Sequence, residues 1–131
     1  MKKKILIVDD EPDIVSYLEM VLQDQGYETA TAGNGNEAME AVKRDRFDLV
    51  TLDITMPEAS GTRFYKEIRT DPELSQIPVV SVTAVTGLGG DKYAYENFIS
   101  NRKIVPAPEA FFPKPIDREE FIKKVRELLG E

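Results

Sequence analysis

Short apolar runs alternate along this chain with stretches whose apolar residues recur every third or fourth position. Lys4–Val8 is β-branched and continuously apolar, the pattern of a strand buried on both faces. Ile14, Leu18, Val21 and Leu22 follow at helical spacing, and Gly26 is placed to stop that helix. Tyr27–Thr31 reads as a short second strand and Asn34-Gly35 as a turn. Ala38, Ala41 and Val42 then line one face of a second helix. Asp48–Leu52 is the third strand. Phe64 and Ile68 mark a third helix, ended by Asp71-Pro72 because the residue before proline disfavours the α conformation.

Ile77–Val82 reads as a fourth strand, with Pro78 near its start, where a missing donor is tolerated. Phe111-Phe112 suggests a short fifth. Phe121, Val125, Leu128 and Leu129 mark a final helix beginning near Asp117, a residue type suited to the N-cap. Strands alternating with helices imply an α/β protein, its five-stranded parallel sheet covered by helices on both faces. No repeat or linker divides the pattern, so residues 1–131 read as one domain. Between Gly87 and Ala110 the periodicity weakens. Gly87, Gly89 and Gly90, then Pro106 and Pro108, bracket an irregular or extended helical region in which Tyr93, Tyr95, Phe98 and Ile99 suit packing.

Composition narrows the chemistry. The 131 residues can bury a real core, and 41% hydrophobic with 31% charged residues is a globular balance. Net charge is −7, so the chain is poorly suited to direct DNA binding, which needs Lys and Arg against phosphates. Cysteine and histidine are both absent, which excludes disulfides, thiolate catalysis and any imidazole base, ligand or phosphoryl donor. Lys2-Lys3-Lys4 resembles the start of a signal peptide, but the apolar run behind it is short and meets two aspartates. No stretch is long enough to span a membrane, and the simplest expectation is a soluble cytoplasmic protein.

Two apolar runs end in carboxylates: Asp9-Asp10 closes the first and Asp53 the third. Open α/β sheets place their chemistry at such strand tips. If the two strands are neighbours, three acids crowd together and repel unless a cation neutralises them. All-oxygen ligands favour Mg²⁺ or Ca²⁺, and an incomplete set leaves water or phosphate oxygens to finish the octahedron that Mg²⁺ prefers. A carboxylate can also attack phosphorus to form an acyl phosphate, whose developing charge Mg²⁺ would offset. Lys114, just past the fifth strand, can pair with an aspartate before transfer and with a phosphoryl oxygen after it. The hydroxyl of Thr83, at the tip of the fourth strand, can donate to the same group. Each residue alone has an ordinary reading as a solvated end or a strand former. It is their combination that favours chemistry.

The set Asp9-Asp10, Asp53-Ile54-Thr55-Met56-Pro57 with Gly61, Thr83-Ala84 and Lys114-Pro115 resembles the receiver domain of two-component response regulators. The likeness runs from Lys3 to about Arg69, resumes over Ile77–Val85 and returns over Phe111–Leu129. It implies a flavodoxin-like, doubly wound sheet of order 2-1-3-4-5. It also implies that Asp53 is the phosphoacceptor and that Asp10, Asp53 and the Thr55 carbonyl bind Mg²⁺ directly, with Asp9 acting largely through water. Thr83, the Ala84 amide and Lys114 would hold the phosphoryl group, Phe111 would be the switch aromatic, and the Lys114–Pro115 bond would be cis. The partners implied are a sensor histidine kinase or phosphotransfer protein and a downstream protein target. With no room for an output domain after Glu131, a stand-alone regulator is expected, and small Thr55 suggests a short phosphoryl lifetime.

Two features depart from the family pattern. Thr83 and Lys114 are 31 positions apart, longer than in typical receivers, and Ile104-Val105-Pro106-Ala107-Pro108 stands where a Gly-Ala-Asp motif is usual. The acceptor site is thus clearer than the output surface. An alternative from another class is a Mg²⁺-dependent phosphohydrolase with Asp53 as nucleophile, like haloacid dehalogenases. Those enzymes need a second aspartate two residues on as general acid, where this chain has Thr55. A flavodoxin-like nucleotide or flavin binder would need glycines and free amides in the first loop, which here is Asp9-Asp10-Glu11-Pro12.

Overall fold

The computed structural model describes residues 2–56, 60–84 and 108–131. Five parallel strands form one sheet in the order β2-β1-β3-β4-β5. They are β1 (Lys4–Val8), β2 (Glu28–Ala32), β3 (Leu49–Leu52), β4 (Val79–Ala84) and β5 (Ala110–Lys114). The described helices are α1 (Pro12–Asp24), α2 (Gly35–Arg44), α3 (Ser60–Thr70) and α4 (Arg118–Leu128). Among the described residues, no helix is long and apolar enough to cross a membrane.

The unbroken apolar run of β1 is explained by its two faces. Leu6 and Val8 pack with Ala38, Ala41, Phe64 and Ile68 in the layer under α2 and α3. Ile5 and Ile7 point the other way, toward Leu18, Val21, Phe121 and Val125 of α1 and α4. A strand with helices on both sides has no solvent face to make polar. β2, at the sheet edge, is half-exposed and reads accordingly as Glu-Thr-Ala-Thr-Ala.

Element ends follow local chemistry. Gly26, at φ +90°, takes the left-handed position after α1 and its amide returns to the Gln23 carbonyl at 2.9 Å. Asn34-Gly35, which reads as a turn, instead starts α2: Asn34 caps it, accepting from the Glu37 amide at 2.9 Å, and Gly35 is its first residue. α3 stops at Thr70, before Asp71-Pro72, as expected. Asp117 caps α4 through the Glu120 amide at 3.1 Å. β4 begins at Val79, two residues later than the apolar pattern suggests, because Ile77 and Pro78 belong to the entering loop. The Pro78 carbonyl accepts from Val50, and the Ile77 carbonyl from Arg69. The region expected to be irregular from Gly87 lies outside the described residues as far as position 107, and so do Pro57 and Val85.

Candidate functional site

The pairing of β1 with β3, Val8 opposite Leu52, sets Asp9 and Asp53 side by side at the C-terminal edge of the sheet. The Asp53 amide donates to the Val8 carbonyl at 3.0 Å, which fixes that register. Both carboxylates are buried, at 2% and 3% exposure, whereas Asp10 is exposed. β5 delivers Lys114 from the far side of β4, and the Lys114–Pro115 peptide is cis, as the resemblance implies.

The Lys114 ammonium is shared among three carboxylates. It lies 2.7 Å from Glu11 Oε1, 3.0 Å from Asp9 Oδ2 and 3.1 Å from Asp53 Oδ2. Burial alone would lower its pKa, but Glu11, Asp9 and Asp53 together outweigh burial and hold it above the ordinary lysine range. Burial likewise raises the Asp9 carboxyl, to about 6, and the charge of Asp53 adds to this. The Glu11 amide, 3.0 Å from Asp9 Oδ1, and Lys114 only partly oppose it.

Asp53 is gripped from two sides. Lys114 takes Oδ2, while Oδ1 accepts both the Thr55 amide at 2.9 Å and the Thr55 hydroxyl at 2.6 Å. Gly61, one residue into α3, lets that helix lie against this loop. A Cβ there would collide with the Asp53 carbonyl oxygen and come within 2.8 Å of the Ile54 Cα. Thr83 is fully buried on β4 and its Oγ1 faces the Ile54 amide at 3.4 Å. Ala84 pairs in register with Lys114.

Carboxylate oxygens of Asp9, Asp10, Glu11 and Asp53 can all lie within 4.8 Å of one another. Four carboxylates gather here, three of them against one ammonium, and the buried Asp9 Oδ2, though in ion-pair range of Lys114, has no hydrogen bond aimed at it. An all-oxygen donor set with excess negative charge fits a hard divalent cation such as Mg²⁺.

The description "response regulator receiver domain" matches residues 5–126. The chain belongs to the response regulator receiver family. It is similar to the polar-differentiation response regulator DivK of Brucella anthropi, with 32% identity covering 100% of this chain and 99% of that protein. Among solved structures it resembles the receiver domain of sensor histidine kinase PA1611 from Pseudomonas aeruginosa, at 25% identity and TM-score 0.82, each chain covered in full. That receiver coordinates a magnesium ion in its active-site cleft. It also resembles the response regulator TrrA of Thermotoga maritima in complex with Mg²⁺ and BeF. The identity there is 33% and the TM-score 0.73, over 96% of this chain and 98% of that one. Receiver domains are phosphoacceptor modules of signalling systems, and this chain shares both their fold and their function class.

Among the described residues, the candidate site residues lie at this edge of the sheet or on the strands leading to it. Asp9, Asp10, Asp53, Thr55 and Lys114 form one cluster, with Thr83 behind it. Phe111 is half-buried on β5, and strand alternation puts it on the face opposite Phe112, whose ring packs edge-on against Phe121 at 5.6 Å. Of the two phenylalanines, Phe112 therefore belongs to the core under α4. Sequence reading missed Glu11 as a partner of Lys114, and it missed Ser81. Alternation along β4 puts Ser81 on the same face as Thr83, a signal that was available.

Proposed function

We propose that Asp53 accepts a phosphoryl group from the phosphohistidine of a histidine kinase or phosphotransfer protein. The observation that carries this is the double grip on its buried carboxylate, Lys114 on Oδ2 and Thr55 on Oδ1. In the transfer the P–N bond to the donor imidazole breaks and a P–O bond to Asp53 forms, the imidazole leaving with the electron pair. Asp53, held rigidly, serves as an aligned nucleophile, and the positioning itself supplies much of the catalysis.

Lys114 then moves from carboxylate oxygens to phosphoryl oxygens, where its charge offsets the charge that builds up. The Ala84 amide and the Thr83 hydroxyl supply further donors to the phosphoryl group. Mg²⁺, held by Asp10, Asp53 and the Thr55 carbonyl with Asp9 acting through water, would neutralise the oxygens of both partners. Phe111 follows Thr83 as the switch aromatic, and output is by contact with another protein in the cytoplasm. The chain catalyses only its own phosphorylation and slow dephosphorylation. The hydrolase alternative is disfavoured because Thr55, whose hydroxyl is bound to Asp53 Oδ1, cannot serve as a general acid.

The test is intact-protein mass after incubation with acetyl phosphate. One phosphoryl addition that needs Mg²⁺ and is absent from Asp53→Asn is expected. Addition to Asp53→Asn at the wild-type rate would move the acceptor elsewhere.

A further inference from the structure

Along β4 the side chains alternate. Val80 and Val82 pack under α1 and α4, so Ser81 and Thr83 project together toward the opposite layer. Both are fully buried, and their hydroxyl oxygens are 3.1 Å apart. Besides Ser81, Thr83 Oγ1 faces the Ile54 amide at 3.4 Å. The Asp53 carboxylate is meanwhile occupied by Lys114 and Thr55.

We propose that Ser81 is a positioning residue that competes with the phosphoryl group for the hydroxyl of Thr83. This rests on the reading of Asp53 as the acceptor. A threonine hydroxyl has one proton to give and one orientation at a time. With Thr83 the donor of this pair, its hydroxyl must turn from Ser81 to donate to a phosphoryl oxygen on Asp53. Ser81 then loses that partner in a fully buried position, which makes the turned state costlier to reach. Ser81 thereby holds the resting arrangement and sets how readily phosphorylation drives Thr83 across. An alanine at 81 has no hydroxyl to strand.

The test follows Mg²⁺-dependent phosphorylation by acetyl phosphate, read by intact mass, in wild type, Ser81→Ala, Thr83→Val and the double variant. Ser81→Ala is expected to speed phosphorylation by roughly 3- to 10-fold, the worth of one buried hydrogen bond. In the Thr83→Val background the same change is expected to have no effect. Ser81→Cys, similar in size and a weak hydrogen-bond partner, should accelerate it too and serves if the alanine variant fails to fold. An unchanged or slower rate, or equal acceleration in both backgrounds, overturns the competition while leaving Asp53 as acceptor. A wild type that takes no phosphoryl group at all overturns the acceptor reading and this inference with it.

Discussion

Asp9 carries a raised pKa that ties the site to the stability of the whole chain. Its folded value, about 6, lies above the ordinary 3.8, so the folded state holds the proton more tightly. The stability this gives is complete below about pH 3.8 and is lost as pH rises through about 6. By pH 7.5 the buried, ionised Asp9 has given up on the order of 2–3 kcal/mol in the absence of a cation. Urea denaturation at pH 5 and pH 7.5 checks this. Mg²⁺ should stabilise the protein markedly at the higher pH and little at the lower, and Asp9→Asn should flatten the pH dependence. Equal Mg²⁺ effects at both pH values would contradict it.

Lys114 gives a second prediction at the same scale. Lys114→Met leaves Asp9 and Asp53 buried without their cation and should cost about 3 kcal/mol, part of it restored by millimolar Mg²⁺. A loss that Mg²⁺ leaves untouched would mean that the carboxylates do not share a metal.

Among the elements, α3 is what shapes the edge of the site. Its Gly61 lies against the Asp53 carbonyl, and its Ser60 carbonyl abuts Gly35 at the start of α2. Gly61→Ala forces α3 off that loop, so the acceptor geometry should suffer more than the fold. We expect phosphorylation to slow at least tenfold, with a melting temperature lowered by only a few degrees. A variant melting like wild type and phosphorylated at the same rate would show the contact to be slack.

At the opposite end of the sheet Arg69 is buried and clamps three segments. It donates to the Ser75 carbonyl at 3.0 Å and the Ile77 carbonyl at 2.8 Å, and it pairs with Glu109 before β5. Arg69→Met should cost about 2 kcal/mol in urea denaturation, because two part-buried carbonyls lose their donor and Glu109 keeps only the Val79 amide. A loss below 1 kcal/mol would mean that other groups replace it. Nothing in the sequence distinguishes Arg69 from a solvated arginine at a helix end, since its partners come from residues up to 40 positions away.

Across the whole molecule, what could be read from the sequence was what repeats locally or ends a strand. The two-faced burial of β1, the stop at Gly26 and the acids at strand tips follow from periodicity and from the geometry of open sheets. Asn34 was harder, because a residue that favours turns also caps helices and only the glutamate three positions on separates the two. The Ser81–Thr83 contact was within reach of strand alternation, whereas Glu11–Lys114 joins residues 103 positions apart and depends on side-chain direction, which spacing leaves open.

The central claim concerns one atom group, the Asp53 carboxylate. The most direct test is to phosphorylate the protein with acetyl phosphate and Mg²⁺, reduce the acyl phosphate with borohydride, and locate the modified residue by peptide mass spectrometry. An aspartyl phosphate becomes homoserine under this treatment, and the account predicts homoserine at position 53 alone. Homoserine at position 9 or 10, or a phosphoryl group that survives borohydride, would contradict it.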